Sequence, residues 1–430
     1  MRWVTGLHFG TQPIRRVMRT MRIALRSGCV IAGLAAFALG APGSAAAKVA
    51  GDTIILGAVV SLTGIYTTAG NHTKRGYDIG VKRINARGGI KVGRKTYKLR
   101  VIYYDDESTP ARGARLAERL IQQDGVKFML GPYSSGVTEA IAPITEKYKI
   151  PMVEGNGASP SLFTKGYTHL FAVLSTTDYY LREAINLAAH HARSKGRKPS
   201  QLKIAIAVED DPFSNDIRAG VIEDARKYGM KIVIDDKLPR ELNDMTETLK
   251  KAKALKPDLL VVSGHSKGAA LVVRQVNEQR VKVPMLAITH CESAKIQKIF
   301  GKKAEGTLCA AQWAPSMSYS DSYFGSAGDY SKNFKTEYGY VPPYQAAEST
   351  ASVLVWADAF QRAGSFDTKK VRDALAATDF MTFYGPVKFD KTGKNTAKPM
   401  VLRQIQNGKY VPVAPTKFAT GKFQHPRPGL

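Results

Sequence analysis

The sequence predicts an α/β fold in which parallel sheets are covered by helices. Three observations carry this. From Gly51 onward, short apolar runs alternate with helical patterns. The runs are continuous rather than alternating in and out, as in strands buried on both faces. The alternation also comes in two blocks, each about the size of one doubly wound domain, with a less regular segment, "GYTHLFAVLSTTDYY" (166–180), between them.

In the first block "TIILGAVVSL" (53–62) is a strand, and "KRGYDIGVKRINARGG" (74–89) is an amphipathic helix closed by Gly88 and Gly89. "KLRVIYYDDE" (98–107) is the next strand, and "ARGARLAERLIQQDG" (111–125) a helix stopped by glycine. The strand "VKFMLG" leads through "GPYSSG" into a helix, and "IPMVEG" (150–155) is again a strand. The second block repeats the pattern with strands at 201–210, 231–239, 259–264 and 284–290, and helices at 214–229, 245–258 and 268–280. Then it changes. Residues 312–330 are rich in Ser, Tyr and Gly and read as an extended connection. Helices follow at 330–339, 344–364 and 369–378, then antiparallel strand patterns over 385–413 and a loose tail.

The chain has 430 residues and is 44% hydrophobic, as befits a folded protein with room for more than one domain. Residues 21–47 read as a secretory signal peptide. Arg22 and Arg26 form the basic region, "CVIAGLAAFALGA" is apolar but short for a membrane span, and "AAA" offers a cleavage site. Residues 1–20 fit no such design and read as an extension ahead of a start at Met21. Removing 1–47 takes away six Arg and no acid, leaving 57 basic residues against 36 acidic. That excess is scattered rather than gathered in a stripe, which argues against nucleic acid as a partner and for solubility or steering of anions. Cys291 and Cys309 remain; they either pair or stay as two buried thiols.

Catalytic and cofactor motifs fail one by one. Ser134 has Gly136 after it but Pro132 where a nucleophile elbow needs glycine. No Walker loop occurs, and "GNGASP" (155–160) puts Pro160 where a dinucleotide loop needs its third glycine. His190 and His191 are adjacent and point to different faces, and no cluster has zinc spacing, so no metal or cofactor is expected. Three loops at corresponding strand ends do share a character: 61–71, 131–136 and 154–161 are rich in Gly, Ser and Thr. At strand carboxyl ends, next to helix N-termini, such loops either cap their helices or cradle an anion together.

The run from "IILGAVVSLTG" through "RGYDIGVKRINARGGI" and "DDESTPARGARLAERLIQQDGVKFMLGPYSSGVTEAIAPITEKYKIPMVEGNGASPSLF", with "KIAIAVEDDPFSNDI" later, resembles the leucine/isoleucine/valine-binding type of periplasmic substrate-binding protein for ABC transporters. The resemblance covers nearly the whole chain after residue 47. It implies two Rossmann-like lobes joined by three crossings near 175, 313 and 385. The lobes are then 51–175 with 314–385, and 176–313 with 386–415, followed by a tail, 416–430. It also implies that Ser135 holds a ligand carboxylate, with Asn156 and Ala158 in the next loop. Ala158 stands where the family has Thr, Phe213 and His265 where it has Tyr, and His290 where it has the acid for an ammonium, with Glu292 two residues on. Tyr66, Tyr133 and Ser134 complete the expected site. The expected protein is a monomeric, non-enzymatic periplasmic receptor that closes on a small carboxylate (an amino acid, amide or aromatic acid) and presents it to an ABC permease. A sensory module of the same fold, or a hydrolase using Ser134 or Ser135 with a converging His and acid, are the alternatives.

Overall fold

The computed structural model describes residues 49–428. The expected extension and signal peptide lie outside the described residues. Among the described residues, eleven α-helices cover two seven-stranded sheets.

The first sheet orders its parallel strands Lys95–Asp105, Thr53–Val60, Met129–Leu130, Met152–Glu154 and Leu170–Ala172. Ile90–Val92 pairs antiparallel at one edge, and Val49–Ala50 pairs with the start of Thr53–Val60. The second sheet orders Lys231–Leu238, Lys203–Glu209, Leu259–Ser263, Met285–Ile288 and Leu308–Ala311 in parallel. Val401–Gln406 and Lys409–Ala414 extend it antiparallel. In both sheets the chain's first parallel strand lies between its second and third. The strand order therefore reverses there, and the loops leaving the two central strands diverge and open a crevice. The continuous apolar runs are explained by this burial: Ile54 to Val60 and Ile204 to Val208 are shielded on both faces.

The helix Tyr344–Ala363 packs across the first sheet against Thr67–Ala86. Gly76 permits the close approach, since a Cβ there would stand 2.3 Å from the Ala346 carbonyl oxygen. That approach carries the N-terminal turn of Tyr344–Ala363 into the crevice. Cys291 and Cys309, left open by the sequence, form a disulfide.

The three segments running between the sheets meet at Ser175, Gln312 and Lys398. Gln312 Nε2 donates to the Ser175 carbonyl at 2.8 Å and its Oε1 accepts from Ser175 N–H at 3.1 Å. Ser175 Oγ donates to the Lys398 carbonyl at 2.6 Å, and the Lys398 ammonium donates to the Gln312 carbonyl. Lys394 still bridges to Ala172 at the edge of the first sheet. The tail is not loose over the described residues. Gln404 and Gln406 donate to the Gln424 and Lys422 carbonyls, and Arg427 N–H donates to Pro284. Side-chain amides on Val401–Gln406, the strand next to the sheet edge, hold what composition alone reads as free.

Candidate functional site

The two crevices face one another, and the residues leaving the central strands form the walls. In the first lobe Ser61 donates to Asp106 Oδ1 at 2.6 Å, and the same hydroxyl lies 3.1 Å from the Tyr133 carbonyl. This ties the loop after Thr53–Val60 to "GPYSSG". Tyr133 follows Met129–Leu130, and Ser134 is the N-cap of the helix Ser135–Lys147, with no side-chain capping bond. In the second lobe Asp211 caps the helix Pro212–Lys227 through Ser214 N–H, which places Phe213 in its first turn. His265 stands at the N-cap of Ser266–Glu278, and His290 follows Met285–Ile288 in the left-handed region, φ 61°.

Between the walls lies a cavity of about 10 Å³, the space of roughly one water. Tyr133, Ser134 and Asn156 line it from the first lobe, Phe213, His265 and His290 from the second. The structure thus brings together six of the residues expected from sequence. Tyr66 packs behind them, its ring tilted against His265 at 4.5 Å and edge-on to Tyr133 at 5.6 Å. Ser135 and Ala158 do not line the cavity. Ser135 Oγ accepts from Ala158 N–H at 3.1 Å and Ser159 N–H at 3.2 Å, bracing one loop against the next. The hydroxyl at the cavity is that of Ser134. Glu292 is also elsewhere: its carboxylate pairs with Arg403 and lines a separate cleft.

Four lining residues escaped the sequence reading: Tyr180, Tyr344, Gln345 and Glu348. Gln345 and Glu348 stand at i and i+3 near the start of the helix Tyr344–Ala363, but nothing in the sequence places that helix at the crevice. Buried polar atoms without a hydrogen-bond partner gather here: Asn156 Oδ1, both amide atoms of Gln345 and the Tyr344 hydroxyl.

Tyr133 joins the walls. Its hydroxyl lies 2.7 Å from His265 Nδ1 and 2.9 Å from His290 Nε2. One hydroxyl proton serves one acceptor, so the protonation states of the two rings decide the direction. Burial alone would drive His265 neutral, but the Asp211 carboxylate 3.5 Å away, seconded by Glu209, outweighs it and raises the ring's pKa. Burial, and then the charge of His265, push His290 well below the usual histidine value. His265 Nδ1–H therefore donates to Tyr133, and Tyr133 donates to neutral His290. His290 Nδ1–H completes the relay at Thr289 Oγ1, 3.1 Å away. Burial likewise holds the Glu348 carboxyl well above its usual range, with the Tyr384 hydroxyl 3.2 Å from it.

Rings from both lobes close the remaining sides. Phe213 lies 5.2 Å from both Tyr180 and His290, and His290 lies 6.2 Å from Tyr344. At the size of one water the space admits a flat or apolar body only when these rings part; the few polar groups would then fix one end of it.

Residues 53–409 match the periplasmic binding protein family. The chain is 24% identical over 379 residues to Leu/Ile/Val-binding protein homolog 8 of Brucella abortus, covering 86% of this chain and 92% of that one. It is similar in fold to the branched-chain amino acid transporter substrate binding protein LivJ of Streptococcus pneumoniae in complex with isoleucine: TM-score 0.73, 22% identity, 84% of this chain and 100% of that one. It is also similar to an ABC transporter solute binding protein from R. palustris in complex with benzoate: TM-score 0.71, 19% identity, 84% of this chain and 95% of that one. With the matched region spanning both sheets and the walls between them, this chain belongs to the periplasmic binding protein family.

Proposed function

We propose that the protein is the substrate-binding component of an ABC importer and captures a small carboxylate with a flat aromatic body between its lobes. The observation that carries this reading is the ring-lined cavity whose wall residues hold unpartnered polar atoms at Asn156, Gln345 and Tyr344. An unmet buried polar atom costs about 1–3 kcal/mol, which a polar ligand recovers. The ligand carboxylate goes to the Ser134 hydroxyl and the N-terminus of the helix Ser135–Lys147, where the helix dipole favours an anion.

Glu348 decides between aromatic acids and α-amino acids. Burial holds its carboxyl well above the usual range, which disfavours the charge that an ammonium would need opposite it. The benzoate complex of one structural relative agrees with this choice. The isoleucine complex of another, and the names of the Leu/Ile/Val-binding relatives, support a second reading, in which an amino acid's ammonium draws the proton off Glu348.

Capture proceeds by closure. The lobes turn about the junction of Ser175, Gln312 and Lys398, so the third crossing lies near Lys398 rather than near 385, with Lys394 still bridging to Ala172 of the first sheet. The ligand enters by parting the walls that Tyr133 and the two histidines now join, and its contacts with both walls favour the closed arrangement around it. The closed protein, a monomer, then meets the permease. The Cys291–Cys309 disulfide supports a periplasmic location, since such bonds persist in oxidising compartments. Neither Ser134 nor Ser135 bonds a histidine among the described residues, which weighs against hydrolysis.

A thermal-shift screen of benzoates, amino acids and amides tests the reading. A ligand at 100 times its Kd stabilises by about 2.7 kcal/mol. The reading expects aromatic carboxylates to give the largest shifts. Stabilisation by aliphatic amino acids alone favours the second reading, and silence across the panel counts against both.

A further inference from the structure

The second-lobe wall carries a cluster that shares only His265 with the ligand cavity. Glu209 ends the strand Lys203–Glu209, Asp211 caps the helix that follows, and His265 begins the helix after the neighbouring strand Leu259–Ser263. The reversal of strand order brings the three side chains together. One donor atom from each lies within 4.8 Å of the others, and all three residues are buried.

The ring nitrogens of His265 have separate tasks. Nδ1 is committed to Tyr133, so Nε2 faces Asp211 Oδ2 across 3.5 Å. Beyond this long ion pair, neither atom has a further hydrogen-bond partner among the described residues, and both residues are more than nine-tenths buried. Two ligands of one tetrahedral ion, each about 2.0–2.2 Å from it, stand roughly 3.3–3.5 Å apart. The supporting contacts are in place. Ser214 N–H holds Asp211 Oδ1 at 3.1 Å, leaving Oδ2 turned to the histidine, and His265 N–H reaches Glu209 Oε2 at 3.3 Å. Asp211 also lines a cavity of about 350 Å³, together with Asp210 and Glu139, whose charges favour a cation, and Arg240, whose charge opposes one.

We propose that Glu209, Asp211 and His265 hold one divalent transition-metal ion of the zinc class, with its remaining position open to this cavity. One imidazole nitrogen with two carboxylate oxygens suits such an ion better than calcium or magnesium, which take all-oxygen shells. The ion replaces the proton on His265 Nε2 and leaves Nδ1–H on Tyr133. Metal binding therefore fixes the ring in the orientation that reaches the opposite lobe.

The test is calorimetric titration of the chelator-stripped full chain with Zn²⁺, alongside visible spectra with Co²⁺. The expected result is one ion per chain and a cobalt ligand-field band. Asp211→Asn, which keeps a capping side chain, and Glu209→Gln should each weaken Zn²⁺ binding by at least about 10-fold. His191→Ala should leave it unchanged. Absence of binding overturns the proposal, as does binding undiminished in both variants. So does binding lost instead in His191→Ala, whose ring stands 4.0 Å from that of His425.

Discussion

The Tyr133 hydroxyl of the first lobe lies 2.7 Å from His265 Nδ1 of the second. It is the midpoint of a relay that runs on to His290 and Thr289, so one side chain both senses the opposite wall and closes the cavity against it. Tyr133→Phe keeps the ring and removes the bond. A net hydrogen bond is worth about 0.5–1.5 kcal/mol, more with a charged partner, so ligand affinity should fall roughly 3- to 10-fold. Calorimetry with the ligand found in the screen measures it, and an unchanged Kd would remove Tyr133 from the closing contact.

The adjacent serines should separate cleanly. Ser134→Ala takes the hydroxyl from the cavity and should weaken carboxylate binding by about 1.5–3 kcal/mol, the range for hydrogen bonds to charged groups. Ser135→Ala instead strands two buried N–H groups, of Ala158 and Ser159. It should lower folding stability by about 1–3 kcal/mol and change affinity less than Ser134→Ala does. Urea denaturation and calorimetry on both variants decide the assignment; reversal of the pattern would return the anion contact to Ser135.

Lys398 makes the junction of the lobes pH-dependent. Burial lowers its pKa to about 7, although Glu348 pulls the other way. The folded chain therefore gives up a proton that the unfolded chain keeps until about pH 10.4. The unfolded state binds more protons in between, so stability rises with pH from about 7 toward 10 by this group's contribution. Lys398→Met should flatten that slope in denaturation curves taken across the range. A slope identical to wild type would show that Lys398 is not the group responsible.

Reducing the disulfide should matter for stability rather than for affinity. Cys291 and Cys309 are 18 residues apart in sequence. A loop of this size contributes about 3 kcal/mol through the unfolded chain. Cys291→Ser with Cys309→Ser should shift the urea midpoint accordingly, and a midpoint unmoved under oxidising conditions would contradict it.

Much of the fold was legible because parallel strands buried on both faces read as continuous apolar runs, as at Ile54–Val60 and Ile204–Val208. The loops that matter were legible as well, since Tyr133, Phe213 and His265 follow directly from strand ends. Side-chain direction was not. Ser134 and Ser135 are equivalent as letters; only the helix start, with Ser134 outside it and Ser135 in its first turn, turns one to the cavity and the other to Ala158. Gln345 and Glu348 were hidden for another reason. They reach the cavity by a helix from late in the chain, packed on the first sheet through Gly76, and no local pattern encodes that approach.

The most direct measurement is calorimetry of an aromatic carboxylate against the wild type and Phe213→Ala. Phe213 is 4% exposed and meets Tyr180, His265 and His290 in the second-lobe wall. The expected result is one-to-one binding near micromolar, about −8 kcal/mol, weakened at least ~10-fold by the substitution. No binding by any carboxylate, or equal binding by both proteins, would contradict capture between the lobes.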